Sequence, residues 1–92
     1  LPMTIDKDTE AFATTIINGD TLQYHYRLVN LRKEEVDSSY LNSEATKNHT
    51  NYVCSSPDMK FLIDNNISVN YAYYGKNQKH ITTIFIDTKQ CN

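Results

Sequence analysis

Ninety-two residues suffice for one domain with a thin core, because a chain of this length buries about two-thirds or less of its unfolded surface. With 39% apolar and 22% charged residues and a formal charge of -2, the composition is that of a folded domain and excludes a disordered or strongly charged chain. The basic residues stand singly apart from Arg32-Lys33, so no cationic stripe exists to neutralise a phosphate backbone, and no nucleic-acid partner is expected.

Residues 1–10, LPMTIDKDTE, are polar and without period, and read as a lead-in or linker, with a single α+β domain over residues 11–92. The segment from Ala11 to Asn30 holds two alternating runs around Asn18-Gly19, a strong hairpin signal. A strict two-residue turn would set Phe12 against His25 and mix apolar with polar side chains on one face. A three-residue loop, Asn18 to Asp20, instead pairs Ile16 with Leu22, Thr14 with Tyr24 and Phe12 with Tyr26. Burial therefore predicts the odd loop, or a bulge beside the turn, with Phe12, Ile16, Leu22, Tyr24 and Tyr26 on one buried face.

From Leu31 to Val53 the period becomes helical, with Val36, Tyr40, Leu41, Ala45, Tyr52 and Val53 near one stripe and Asn30 as N-cap. The stripe weakens over residues 48–51, where fraying or a bend is expected. A short second helix follows: Ser56 caps it, Pro57 occupies its first turn, Asp58 faces its dipole, and Met59, Leu62 and Ile63 form its buried side. Asn65-Asn66 ends it, one asparagine taking the left-handed conformation.

Period two returns at Ile67, Val69, Tyr71 and Tyr73 and, after the turn GKNQK, in residues 80–88. An even-length loop sets Ile84 and Ile86 beside Val69 and Ile67 on the buried face. It leaves Ile81, Thr83 and Phe85 on the opposite one. The order β-β-α-α-β-β predicts an α+β fold: a four-stranded antiparallel sheet of two hairpins, packed on one long and one short helix.

The two cysteines fall at the end of the long helical pattern and one residue before the C-terminus. This placement suits a Cys54–Cys91 disulfide better than two free thiols or a metal pair, which would lack two further ligands. A bridge implies oxidising surroundings, periplasmic or extracellular. No apolar run is long enough to span a bilayer, and the chain begins at Leu1, so membrane attachment is expected only through a signal or anchor segment missing upstream.

The run from Asn51 to Cys91 resembles a pattern in small exported bacterial envelope proteins of unassigned function. Its parts are Cys54-Ser55-Ser56-Pro57-Asp58-Met59 closing the long helix, the strand Tyr71-Ala72-Tyr73, the glycine turn at Gly75, an alternating aliphatic strand and the last cysteine. Residues 21–30 look like the strand entering their helix, and Asn66 stands where a glycine is common. The resemblance implies a bacterial envelope protein and no particular chemistry.

Residues for catalysis do not converge. His25, His49 and His80 fall on a strand's polar side, in the frayed helical stretch and beside a turn, all expected to be solvated, and capping accounts for Ser56. No catalytic, cofactor-binding or metal-binding residues are therefore expected, and no cofactor. Parity leaves one candidate surface: Tyr74, Ile81, Thr83 and Phe85 on the outer face of the last hairpin, an apolar patch suited to a protein partner or to self-association. The expected function is a non-enzymatic interaction module. The alternative is an inhibitor or immunity-type protein that blocks a toxin or hydrolase with a loop such as GKNQK.

Overall fold

The computed structural model describes residues 3–91. A five-stranded mixed sheet, with a disulfide-tied helical segment on one face, makes up the α+β fold. The strands are β1 (Met3–Asp6), β2 (Thr9–Ile17), β3 (Thr21–Leu28), β4 (Ser68–Tyr74) and β5 (His80–Ile86), in spatial order β1-β2-β3-β4-β5. Between β3 and β4 lie α1 (Ser38–Ser55), a 3-10 turn at Pro57–Met59 and α2 (Lys60–Asp64).

Two features correct the expected four-stranded antiparallel sheet. Residues expected to form an irregular lead-in make strand β1 and the start of β2, Met3 pairing with Ala11 and Thr4 with Glu10. Leu1 and Pro2 lie outside the described residues. Alternating Met3 and Ile5 is too short a run to register as period two, yet a neighbouring edge supplies its hydrogen bonds. The two hairpins also join in parallel, Leu22 beside Val69, Tyr24 beside Tyr71 and Tyr26 beside Tyr73. The helical crossover returns the chain to the end of the sheet where β3 began, which is what a parallel pair requires.

The first hairpin has the odd loop that burial predicts. Ile17 pairs with Thr21 across Asn18 to Asp20, with Ile16 opposite Leu22 and Thr14 opposite Tyr24. Asn18 and Gly19 take positive φ, 54° and 74°, the conformation that asparagine and glycine tolerate best. Ladder pairing then slips between Ala11 and Ala13, so Ala11, not Phe12, faces Tyr26. Phe12 becomes the extra residue of a bulge and turns to the face opposite the helices.

Helix α1 starts later than the periodicity suggests. Asp37 is its N-cap, accepting from the Tyr40 amide at 3.1 Å. Residues 31–35 instead run against the β4–β5 turn. The Lys76 amide donates to the Leu31 carbonyl at 2.7 Å, and the Lys33 amide to Asn77 Oδ1 at 3.2 Å. The helix continues unbroken through residues 48–51. Ser56 accepts from the Asp58 amide at 3.3 Å, Leu62 is buried, and Asn66 ends the segment at φ 56°.

Because the Ile67 amide still donates to the Leu62 carbonyl, at 2.8 Å, β4 begins only at Ser68. Ile86 therefore pairs with Val69, and Ile84 with Tyr71, two positions along from the expected register. The core lies where α1 packs on β5: Val53, Val69 and Ile84 are almost wholly buried, joined by Ala45, Leu62, Tyr71, Tyr73 and Ile86. Cys54 and Cys91 are bonded, fastening the end of α1 to the 3-10 turn Thr88–Gln90 beyond β5. The helices do not roof the β1–β2 end of the sheet, which is why Ile16 is exposed although its pairing puts it on the helix side.

Candidate functional surfaces

Two of the concavities among the described residues lie on opposite faces of the sheet. On the open face, away from the helices, β3 contributes Gln23, His25 and Arg27, and β4 contributes Asn70, Ala72 and Tyr74. These side chains are fixed to one another. His25 sits between Thr15 Oγ1 at its Nε2 (3.0 Å) and the Tyr74 hydroxyl at its Nδ1 (3.2 Å). Asn70 Nδ2 donates to Gln23 Oε1 at 3.1 Å, and Arg27 pairs with Glu10, its Nε donating at 2.9 Å. Phe12, delivered by its bulge, meets Tyr74 edge-on with ring centroids 5.3 Å apart. Glu10, Phe12, Arg27, Tyr74 and Gln78 bound a depression of about 580 Å³.

Of the expected patch, the structure keeps three members on this face and removes one. Tyr74 and Thr83 are half-buried, Thr83 accepting or donating with His80 Nε2 at 2.7 Å, and Phe85 is 73% exposed. Ile81 is buried in the core. Tyr73 pairs with Thr82 and Tyr74 with His80, so Ile81 is the unpaired residue of a second bulge and parity reverses there. The placement answers to burial: α1 roofs β5, and an isoleucine under that roof leaves water. The bulge also sets Thr82 under α1, where Asn42 Nδ2 donates to its Oγ1 at 2.9 Å.

On the helix side, the unroofed ends of β1, β2 and β3 face the flank of α1 across a groove of about 440 Å³. Tyr24, Tyr26 and Tyr71 line its floor, His49 and Tyr52 its α1 wall, and Met3, Ile5 and Met59 its rim. The expectation of a solvated His49 in a frayed stretch is corrected here. Its ring lies on Tyr71, and its Nε2 is 2.6 Å from the Tyr73 hydroxyl. Burial lowers its pKa from 6.5 to about 4, so the imidazole is neutral at neutral pH. Burial first, and then the neighbouring Tyr24, pushes Tyr26 up to about 12, and burial raises Tyr71 and Tyr73 further. All remain phenols. A phenol is the better donor and a neutral imidazole the better acceptor, so Tyr73 donates to His49 Nε2 and the ring proton resides on Nδ1. The helical stripe missed His49 because histidine does not count as apolar in a periodicity. Its spacing of four residues from both Ala45 and Val53 was the available signal.

Among the described residues no three His, Cys, Asp or Glu side chains come together as metal ligands, and no helix is long and apolar enough to cross a membrane.

No family model and no curated protein matches the sequence. In structure, the chain is similar to a protein of Pseudomonas aeruginosa described as a putative secreted protein, with a TM-score of 0.75 and 19% identity. The match covers 99% of this chain and 79% of that one. At this identity the likeness establishes a shared fold.

Proposed function

We propose that this chain is an exported, non-catalytic module of the bacterial envelope, periplasmic or extracellular, that binds a protein through the open face of its sheet. The disulfide supports export, since such bridges persist in oxidising compartments. So do the resemblance of residues 51–91 to exported envelope proteins and the description of the structural neighbour. The observation that carries the binding reading is Phe85, at 73% exposure the most exposed large apolar side chain among the described residues, on the same face as Phe12 and Tyr74. Aromatic anchors, of which Tyr74 is fixed by its hydrogen bond to His25 and Phe12 packs edge-on against it, with a polar rim such as the Arg27–Glu10 pair, are the composition of interface cores.

The inhibitory-loop alternative is less well supported. Its loop spends its polar groups inside the chain, where they are not free for a target: the Gly75 amide donates to the Lys79 carbonyl at 3.0 Å, the Lys76 amide to the Leu31 carbonyl at 2.7 Å, and Asn77 Nδ2 to Glu34 at 3.2 Å. A photo-crosslinking residue at Phe85 in the exported protein should trap a discrete product, a second copy included. The same residue at the α1 position Lys47 should trap none. Equal products from both positions, or none from Phe85, would count against the reading.

A further inference from the structure

We propose that the groove between α1 and the β1–β3 end of the sheet binds an uncharged small molecule with a flat apolar body and a hydroxyl or carbonyl group. This site is on the opposite side of the sheet from the protein-binding face and does not depend on it.

Tyr71 is 2% exposed and Tyr26 9% exposed, and both line the groove. Neither hydroxyl, nor that of Tyr24, makes a hydrogen bond among the described residues, although no buried side-chain oxygen there is both sealed from solvent and unpartnered. The little of Tyr71 that reaches the surface therefore includes its oxygen, directed at the groove. With access to solvent and no partner in the chain, each hydroxyl is left to bond water or a polar group of a ligand that replaces it. Three such hydroxyls in one groove define a site that wants acceptors or donors from outside. By contrast, the fourth tyrosine of this cluster, Tyr73, spends its hydroxyl on His49.

The rest of the lining sets the ligand's other properties. No Asp, Glu, Lys or Arg lines the groove; its polar side chains are one imidazole, four phenols and Thr14. Two carboxylates stand outside the lining: Asp58, which the Tyr52 hydroxyl meets at 3.5 Å, and Asp6, whose charge acts on Tyr73. An anionic ligand would lose hydration and gain no countercharge, since no Lys or Arg lines the groove. Tyr71 already has His49 stacked at 3.6 Å and Tyr24 nearly parallel at 5.4 Å, so its ring face is not open to cage a cation. Met3 and Ile5, 66% and 44% exposed on the edge strand, and the adaptable Met59 supply an apolar border against which a flat body would shed water. The volume of about 440 Å³ suits a molecule of one to three fused rings.

The test uses 2-naphthol as neutral probe, 2-naphthoate as its anionic counterpart and tetramethylammonium as cation, followed by amide and aromatic NMR shifts of the intact, disulfide-bonded protein. 2-Naphthol should give saturable shifts at Tyr24, Tyr26, Tyr71 and His49, with naphthoate at least about tenfold weaker and the cation silent. Tyr71→Phe keeps the packing and removes one hydroxyl, and should weaken 2-naphthol about fivefold, the factor for one hydrogen bond. Ile5→Glu, on the exposed rim, leaves the core untouched and should abolish the shifts. Shifts mapping to the open face, naphthoate or the cation binding as well as 2-naphthol, unchanged affinity in both variants, or no saturable shift at all would overturn the proposal.

Discussion

The imidazole of His49 lies flat on the ring of Tyr71, centroids 3.6 Å apart and planes 9° from parallel. A helix residue thereby packs on strand β4 as a neutral, stacked ring. The stack, with the hydrogen bond to Tyr73, joins the flank of α1 to the floor of the groove.

Because burial lowers the His49 pKa to about 4, the unfolded chain binds its proton more readily than the folded one. The associated stability is fully present above the unfolded value of 6.5 and is lost as pH falls toward about 4. His49 is only half-buried, so water screens part of the charge, and we expect a loss of ~1–2 kcal/mol across that window. Urea unfolding between about pH 7 and about pH 4.5 should show this decline in the native protein, and a weaker one in His49→Gln. An imidazole titrating near 6.5 by NMR would refute the placement of His49.

How far this was legible in the sequence depends on which interaction decides each element. The three-residue loop was readable because only odd pairing puts Ile16 beside Leu22, and the second helix because Ser56, Pro57 and Asp58 act within one turn. The start of α1 was not: Leu31 to Glu35 is held by the β4–β5 turn, contacts more than forty residues away in sequence such as Lys33 with Asn77. Strand parity misled at Phe12 and Ile81 for a related reason. Each is the extra residue of a bulge, and the two exchange faces, Phe12 moving to the open side and Ile81 to the core. Alternation alone carries no record of a one-residue insertion. Of the open-face candidates, Tyr74, Thr83 and Phe85 were therefore legible. The groove was not, because it depends on how far the helices extend across the sheet.

Removing the bridge between Cys54 and Cys91 should cost about 4 kcal/mol in the chain-entropy model, given the sequence separation of 37. That is a large share of the 5–15 kcal/mol typical of whole domains. Reduction, or Cys54→Ser with Cys91→Ser, should lower the urea midpoint sharply and release the chain after β5 for hydrogen exchange. Coincident midpoints with and without reductant would show that the bridge contributes nothing.

Gly75 is needed for close approach, not for backbone freedom. A Cβ there would lie 2.5 Å from the Lys33 nitrogen and 3.0 Å from the Arg32 carbonyl carbon, both backbone atoms that cannot swing aside. Gly75→Ala should therefore destabilise the fold by about 1–3 kcal/mol by forcing residues 31–35 off the turn. Gly19→Ala meets no neighbour within 4 Å and should cost only what its φ of 74° imposes, about 1–2 kcal/mol. The two variants separate by hydrogen exchange. Only Gly75→Ala should expose the Lys76 amide, which is bonded to Leu31 at 2.7 Å, and protection of that amide in the variant would show that the turn and residues 31–35 do not depend on each other.

The bulge in β5 makes a sharper demand, because it separates two apolar residues of one strand by their fate. Ile81 is 8% exposed and part of the core; Phe85 is 73% exposed on the open face. Replacing Ile81 with serine removes buried methyl groups and leaves a hydroxyl under α1 in their place, which should cost ~2–4 kcal/mol. The same replacement at Phe85 removes a side chain that water already surrounds and should change stability by less than about 0.5 kcal/mol. Plain alternation makes the opposite forecast for Ile81, since it would set both residues on the outer face and make both substitutions harmless. Chemical denaturation of the two variants under identical conditions decides between them. A marginal effect at Ile81 would mean that β5 has no bulge and that the face expected from parity was right. A large loss at Phe85 would mean that something in the folded chain covers it, and the open face would then lose the residue on which its role as a binding surface rests.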